Sequence, residues 1–162
     1  MIIRGINHED FINYKKPSMF IIFPYCDFKC EREQCIKCCQ NSSLANAPIM
    51  TIAAENIVQS YIDNPISKAI VMGGLEPFYN WDELRKLILA FRNKTSDDIV
   101  IYTGYKEEEL TEQIEWLKFY SNIIVKFGRF IPNQEKHYDE VLGVYLASPN
   151  QYAKKFDIER KI

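Results

Sequence analysis

The chain has 162 residues, 47% of them hydrophobic and 26% charged, with a net charge of −2. That length suits one domain with a substantial core, and that charge excludes a broad electrostatic attraction to nucleic acid or to an anionic membrane. No apolar run reaches the roughly 20 residues of a membrane-spanning helix, and the opening MIIRGINHEDF lacks the basic, apolar, small-residue order of a signal peptide; the expectation is a cytoplasmic protein working without nucleic acid or membrane.

The first strong element is SMFIIF (18–23), a continuous apolar run that predicts a strand covered on both faces. It leads into PYCDFKCEREQCIKCCQNS (24–42), which holds all five cysteines of the chain. Thr51 is placed to cap a helix reaching about Asp63, before the Asn64-Pro65 stop. KAIVM (68–72) predicts a second strand and is followed by Gly73-Gly74-Leu75-Glu76-Pro77. Asn80, with Glu83 three residues on, reads as a helix start, and Leu84, Leu87, Ile88 and Phe91 make one apolar helical face. DIVIY (98–102) predicts a third strand, ending in Thr103-Gly104-Tyr105. The acidic stretch 107–109 suits a helix N-terminus, and Leu110, Ile114 and Leu117 supply the buried face behind it. NIIVK (122–126), ending at Gly128-Arg129, and EVLGVYLA (140–147), ending at Ser148-Pro149-Asn150-Gln151, read as two further strands. The alternation predicts an α/β fold with a mainly parallel sheet, and residues 1–162 form one domain without linker or repeat.

Right-handed crossovers place the loops after parallel strands on one edge of the sheet, where α/β proteins keep their ligand sites. The cysteine loop (24–44) and the four loops after the other strands are therefore expected around one pocket. Paired glycines allow close backbone approach, and Glu76 beside them could accept charge-assisted hydrogen bonds from a ligand ammonium. No Gly-Lys-Ser/Thr follows, so the loop has no phosphate-binding signature. An odd number of clustered cysteines in a reducing compartment points to metal rather than to disulfides. Their spacing, Cys26-x3-Cys30-x4-Cys35-x2-Cys38-Cys39, leaves zinc and an iron–sulfur cluster both open.

Cys26-x3-Cys30 after an apolar strand, GGLEP one βα unit later, then IYTGY (101–105) before an acidic helix and SPNQ (148–151), resemble the radical S-adenosylmethionine family. Within it, the order is similar to that of the small activating proteins of anaerobic ribonucleoside-triphosphate reductase, over roughly residues 18–152. The resemblance implies a partial (β/α) barrel and a 4Fe–4S cluster with three cysteine ligands. The open iron would bind S-adenosylmethionine, whose reductive cleavage would give a radical that abstracts hydrogen from a glycine of the partner. It implies as partners the large subunit of an anaerobic ribonucleotide reductase, a glycyl radical enzyme, and a flavodoxin- or ferredoxin-type electron donor. No catalytic side chain is expected, because the cofactors carry the chemistry.

By the same resemblance the ligands are Cys26, Cys30 and Cys39, since Cys39-Gln40-Asn41 matches the Cys-x-Asn that follows the family's third cysteine. The family's C-x3-C-x2-C becomes C-x3-C-x8-C, with EREQCIKC (31–38) an insertion and Cys35 the alternative third ligand. Gly73, Gly74 and Glu76 would take the aminoacyl end of S-adenosylmethionine. Tyr102, Thr103 and Gly104 would take its nucleoside or methionine parts, with Ser148, Asn150 and Gln151 on the same edge. A small radical enzyme acting on a metabolite, similar to a deazaguanine synthase, and a non-enzymatic four-cysteine zinc domain are the competing readings. Lys126 and Arg129 are expected to be solvated and outside the catalytic set.

Overall fold

The structure, a computed structural model, describes residues 1–158. In chain order these form β1 (Ile2–Ile3), β2 (Gly5–Asp10), β3 (Ser18–Phe23), α1 (Lys29–Gln34), β4 (Met50–Thr51), α2 (Ala54–Asp63), β5 (Ala69–Gly74), α3 (Trp81–Arg92), β6 (Asp98–Tyr102), α4 (Thr111–Leu117), β7 (Ile123–Phe127), β8 (His137–Asp139), β9 (Val144–Leu146) and β10 (Tyr152–Phe156). A six-stranded sheet runs in the order β10-β7-β6-β5-β3-β2. Its four central strands are parallel, and both edges, β2 and β10, are antiparallel. This is a mixed α/β fold around a mainly parallel sheet; among the described residues the sheet ends in two edges and does not close into a barrel.

Side chains alternate across a strand, and the register turns that alternation into two faces. Met19, Ile70, Ile99 and Ile123 are aligned in one row and pack with the apolar stripes of α2, α3 and α4, among them Ile57, Leu87, Phe91 and Leu117. The next row, Phe20, Val71, Val100 and Ile124, lies on the opposite face. There the cover is not helical: Tyr14, Leu142 and Leu146 close a smaller core. Strands covered on both faces need apolar residues at consecutive positions, which is why the runs between 18 and 126 could be read directly.

Two expectations are corrected. Residues 140–147 are not a strand of the main sheet; Leu142 N–H donates to Asp139 Oδ1 at 2.9 Å and Gly143 N–H to Asp139 O at 2.7 Å, making a turn. Only β9 remains extended, paired with β8 in a two-stranded hairpin. The apolar content of the run reflects packing onto the second face of the sheet. The sixth strand is instead β10, whose sequence YAKKF exposes Tyr152, Lys154 and Lys155; edge strands carry lysines of this kind and lose the apolar signature. The second correction concerns Thr51, which lies in β4 rather than capping a helix, and α2 begins after Ala53.

Candidate metal centre

A cavity of about 420 Å³ opens at the carboxyl edge of β3, β5, β6 and β7. Cys26, Cys30 and Cys39 line it together with Glu76, Tyr102, Thr103, Gly104 and Lys126. The insertion explains how cysteines nine positions apart reach one cavity. Residues 29–34 coil into α1, entered at Phe28 (φ 53°) and left at Cys35 (φ 54°), both in the left-handed region. The chain then folds back until Cys39 N–H donates to Glu31 Oε1 at 3.0 Å. Outside this arrangement, Cys35 is exposed with its Sγ 3.7 Å from Arg32 O, and the Cys38 thiol lies 4.0 Å from Cys30 O. Neither lines the cavity.

The sulfurs meet backbone donors. Phe28 N–H donates to Cys26 Sγ at 3.2 Å and Phe130 N–H to Cys30 Sγ at 3.4 Å. Burial pushes the Cys26 thiol up to about 12, with the nearby Glu76, Asp27 and Cys39 adding to the rise. Burial raises Cys39 as well. Thiols in such surroundings ionise readily only when a cation joins them.

Glu76 joins the glycine loop to the strand-end Thr-Gly-Tyr. It is fully buried; Oε1 accepts from Thr103 Oγ1 at 2.7 Å and Phe78 N–H at 3.1 Å, and Oε2 from Gly104 N–H at 2.9 Å. Burial lifts its pKa to about 7 against these hydrogen bonds, which favour the charged form. A carboxylate has about four acceptor positions, so one direction at Oε2 remains open. Gly74 takes φ +84°, and a Cβ there would sit 2.5 Å from Ile22 Cγ2. At Gly104 a Cβ would come 3.0 Å from Cys30 Sγ; this backbone passes against the sulfur because it carries no side chain.

The two basic residues expected in solvent are both buried. Arg129, 3% exposed, donates to Gly104 O and holds Glu33 of α1 at 2.9 Å and Glu109 at 2.8 Å. It thereby clamps the insertion onto the loops after β6 and β7. Lys126, 7% exposed, lines the cavity, and burial lowers it to about 8 against the fields of Cys30 and Glu76. A lysine inside the apolar run IIVKF was the available signal, since strands of this kind bury consecutive residues on both faces.

A family model described as a 4Fe-4S single cluster domain matches residues 18–150. The chain belongs to this family. It is an iron–sulfur protein, and the matched segment runs from β3 through the hairpin and contains all the cavity cysteines. No curated protein and no solved structure matches the chain.

The residues fit such a cluster. Three soft sulfur donors share one cavity, two of them with backbone N–H partners, and Phe20, Leu44, Leu75 and Phe130 give it an apolar wall. Among the described residues, no three His, Cys, Asp or Glu side chains converge as a single metal ion requires. A polynuclear cluster instead spreads its thiolates over different irons.

The other expected site residues divide. Gly74, Glu76, Tyr102, Thr103 and Gly104 line the cavity, with the Tyr102 hydroxyl donating to Asn13 O at 2.6 Å. Gly73 lies against Phe20 and Tyr102 without lining it. Ser148 is buried beside the edge, and Asn150 is exposed with its Nδ2 donating to Arg129 O at 2.9 Å. Gln151 is the member of that segment on the cavity wall. Among the described residues, no helix is long and apolar enough to cross a membrane.

Proposed function

We propose that the protein is a radical S-adenosylmethionine activase that installs a glycyl radical on an anaerobic ribonucleotide reductase, working in the cytoplasm with a flavodoxin- or ferredoxin-type electron donor. The observation that carries this reading is the meeting of Cys26, Cys30 and Cys39 with the Gly74–Glu76 and Thr103–Gly104 loops around one cavity at the carboxyl edge of a parallel sheet.

In this reading Cys26, Cys30 and Cys39 hold the cluster. The chemistry it supplies when bound is transfer of one electron to S-adenosylmethionine, splitting it into methionine and a 5′-deoxyadenosyl radical. The chain's own residues bind, orient and exclude water. The open acceptor direction on Glu76 Oε2 receives the ligand ammonium, while Thr103, Gly104 and Phe78 hold the carboxylate still. Gly74 keeps the backbone close, Tyr102 offers a ring face, and Phe20, Leu75 and Phe130 keep the site dry. Gly73, Ser148 and Asn150 act from behind the wall, shaping these loops.

Anaerobic reconstitution with iron and sulfide is expected to give a 4Fe–4S signal and reductive cleavage of S-adenosylmethionine. A glycyl radical signal is expected when the reductase large subunit is added. Cys26→Ala, Cys30→Ala and Cys39→Ala should each abolish cleavage, and Cys35→Ala should not. Stoichiometric zinc without iron, persisting after reconstitution, would overturn the reading. Cleavage without a glycyl signal would point to a metabolite as substrate.

A further inference from the structure

Among the described residues, Lys126 is the basic side chain on the cavity wall, and Glu76 is the acidic one. The lysine projects from β7 on the face opposite the helices, in line with Ile124, where the fold would accept an apolar residue. Its partners are two carbonyls, Thr103 O at 3.5 Å and Gly128 O at 3.3 Å, and the Tyr102 ring at 5.9 Å. Both carbonyl contacts are longer than the roughly 2.7–2.9 Å of a charge-assisted hydrogen bond. Among the described residues no carboxylate forms an ion pair with it, whereas the neighbouring Arg129 is committed to Glu33 and Glu109, and Lys29 to Glu109. Glu76 on the same cavity acts on it through its field without closing an ion pair, so a buried ammonium held in this way gains from any further negative charge brought into the cavity.

The cysteines supply that charge. When they ligate iron they are thiolates, and three thiolates outweigh the positive charge of an oxidised 4Fe–4S core; uptake of an electron makes the assembly more negative still. The Cys30 sulfur lines the same cavity as Lys126, and a Cβ built at Gly104, the residue after Thr103, would come within 3.0 Å of it.

Building on the cluster reading above, we infer that the Lys126 ammonium sets the reduction potential of the cluster held by Cys26, Cys30 and Cys39, its buried positive charge on the cavity wall stabilising the reduced state. The step it serves is uptake of one electron from a reduced protein donor: the donor is oxidised by one electron, the cluster is reduced by one, and no bond forms or breaks. No proton has to enter, because the compensating charge is already in place. Lys126 touches neither donor nor reacting bond, so it is a positioning residue acting through the field at the sulfurs.

The test is an anaerobic redox titration of reconstituted full-length protein without S-adenosylmethionine, followed by electron paramagnetic resonance. Lys126→Met and Lys126→Gln remove the charge; the glutamine keeps a donor for the two carbonyls, so at least one variant isolates charge from packing. Both are expected to shift the reduction equilibrium about tenfold toward the oxidised state, a fall of about 59 mV for a one-electron couple, with iron and sulfide content unchanged. Lys126→Arg should restore most of the shift. Unmoved potentials in the neutral variants would overturn the inference, as would a loss of S-adenosylmethionine affinity alone, which would make Lys126 a ligand anchor. A wild-type protein that assembles no cluster would sink the proposed function itself, and this inference with it.

Discussion

The two faces of the central sheet are made by alternate residues of the same strands, yet they do different work. On β7, Ile123, Val125 and Phe127 enter the core under the helices, while Ile124 and Lys126 point to the other side. The first face is continuous and apolar from Met19 to Phe156. The second is covered at its amino end by Leu142 and Leu146; toward the carboxyl edge Tyr102 on β6 and Lys126 on β7 replace the aliphatic side chains and the cavity opens. Moving three helices to one side leaves the other free for a site without breaking the parallel core.

The largest expected effect lies on the helical face. Phe91 is fully buried and meets Tyr61 edge-on with centroids 5.5 Å apart. Phe91→Ala should cost about 3–5 kcal/mol in a urea titration, while the three cavity cysteines keep their relative arrangement in whatever folded protein remains. Equal loss of cluster content per folded molecule would show that the two faces are not separable.

On the cavity face, Glu76→Gln should cost about 1–3 kcal/mol near pH 8, because its amide NH2 must face at least one of the donors from Thr103, Gly104 and Phe78. A pH signature accompanies it. Burial raises the Glu76 pKa from 4.5 to about 7, so the folded protein keeps a proton that the unfolded chain releases. The stability this contributes is complete below about pH 4.5 and is lost as pH rises through about 7. Denaturant midpoints should therefore fall over that window in the wild type, and the fall should be shallower in Glu76→Gln; an unchanged slope would assign the titration elsewhere.

Gly104→Ala is a finer probe. Its methyl would press on Cys30 Sγ at 3.0 Å, with an expected cost of about 1 kcal/mol but a several-fold lower iron content after reconstitution. Cys35→Ser should do least: the residue is exposed and outside the cavity, so stability should stay within about 0.5 kcal/mol and iron content should match the wild type. A drop in iron would return Cys35 to the ligand set.

Legibility followed the same division. The four parallel strands, the helical faces of α3 and α4 and the clustering of loops at one sheet edge were readable because two-sided burial and helical periodicity leave local patterns. The edge strand β10 was hidden, since a strand half in solvent can carry Lys154 and Lys155. The run 140–147 misled because burial in a turn and hairpin is apolar too.

By itself, the sequence determined the order of the motifs, the Cys26-x3-Cys30 spacing and the presence of a glycine-and-glutamate loop after the second parallel strand. Tertiary structure decided which cysteines share a cavity, because α1 and the returning chain bring Cys39 beside Cys30 and leave Cys35 in solvent. It also decided that Glu76 is held by its own chain and that Lys126 and Arg129 are buried rather than solvated. The physical reason is range. Strand and helix patterns are written in neighbouring residues, whereas the burial of a charge depends on which distant loops close over it, and no local pattern carries that information.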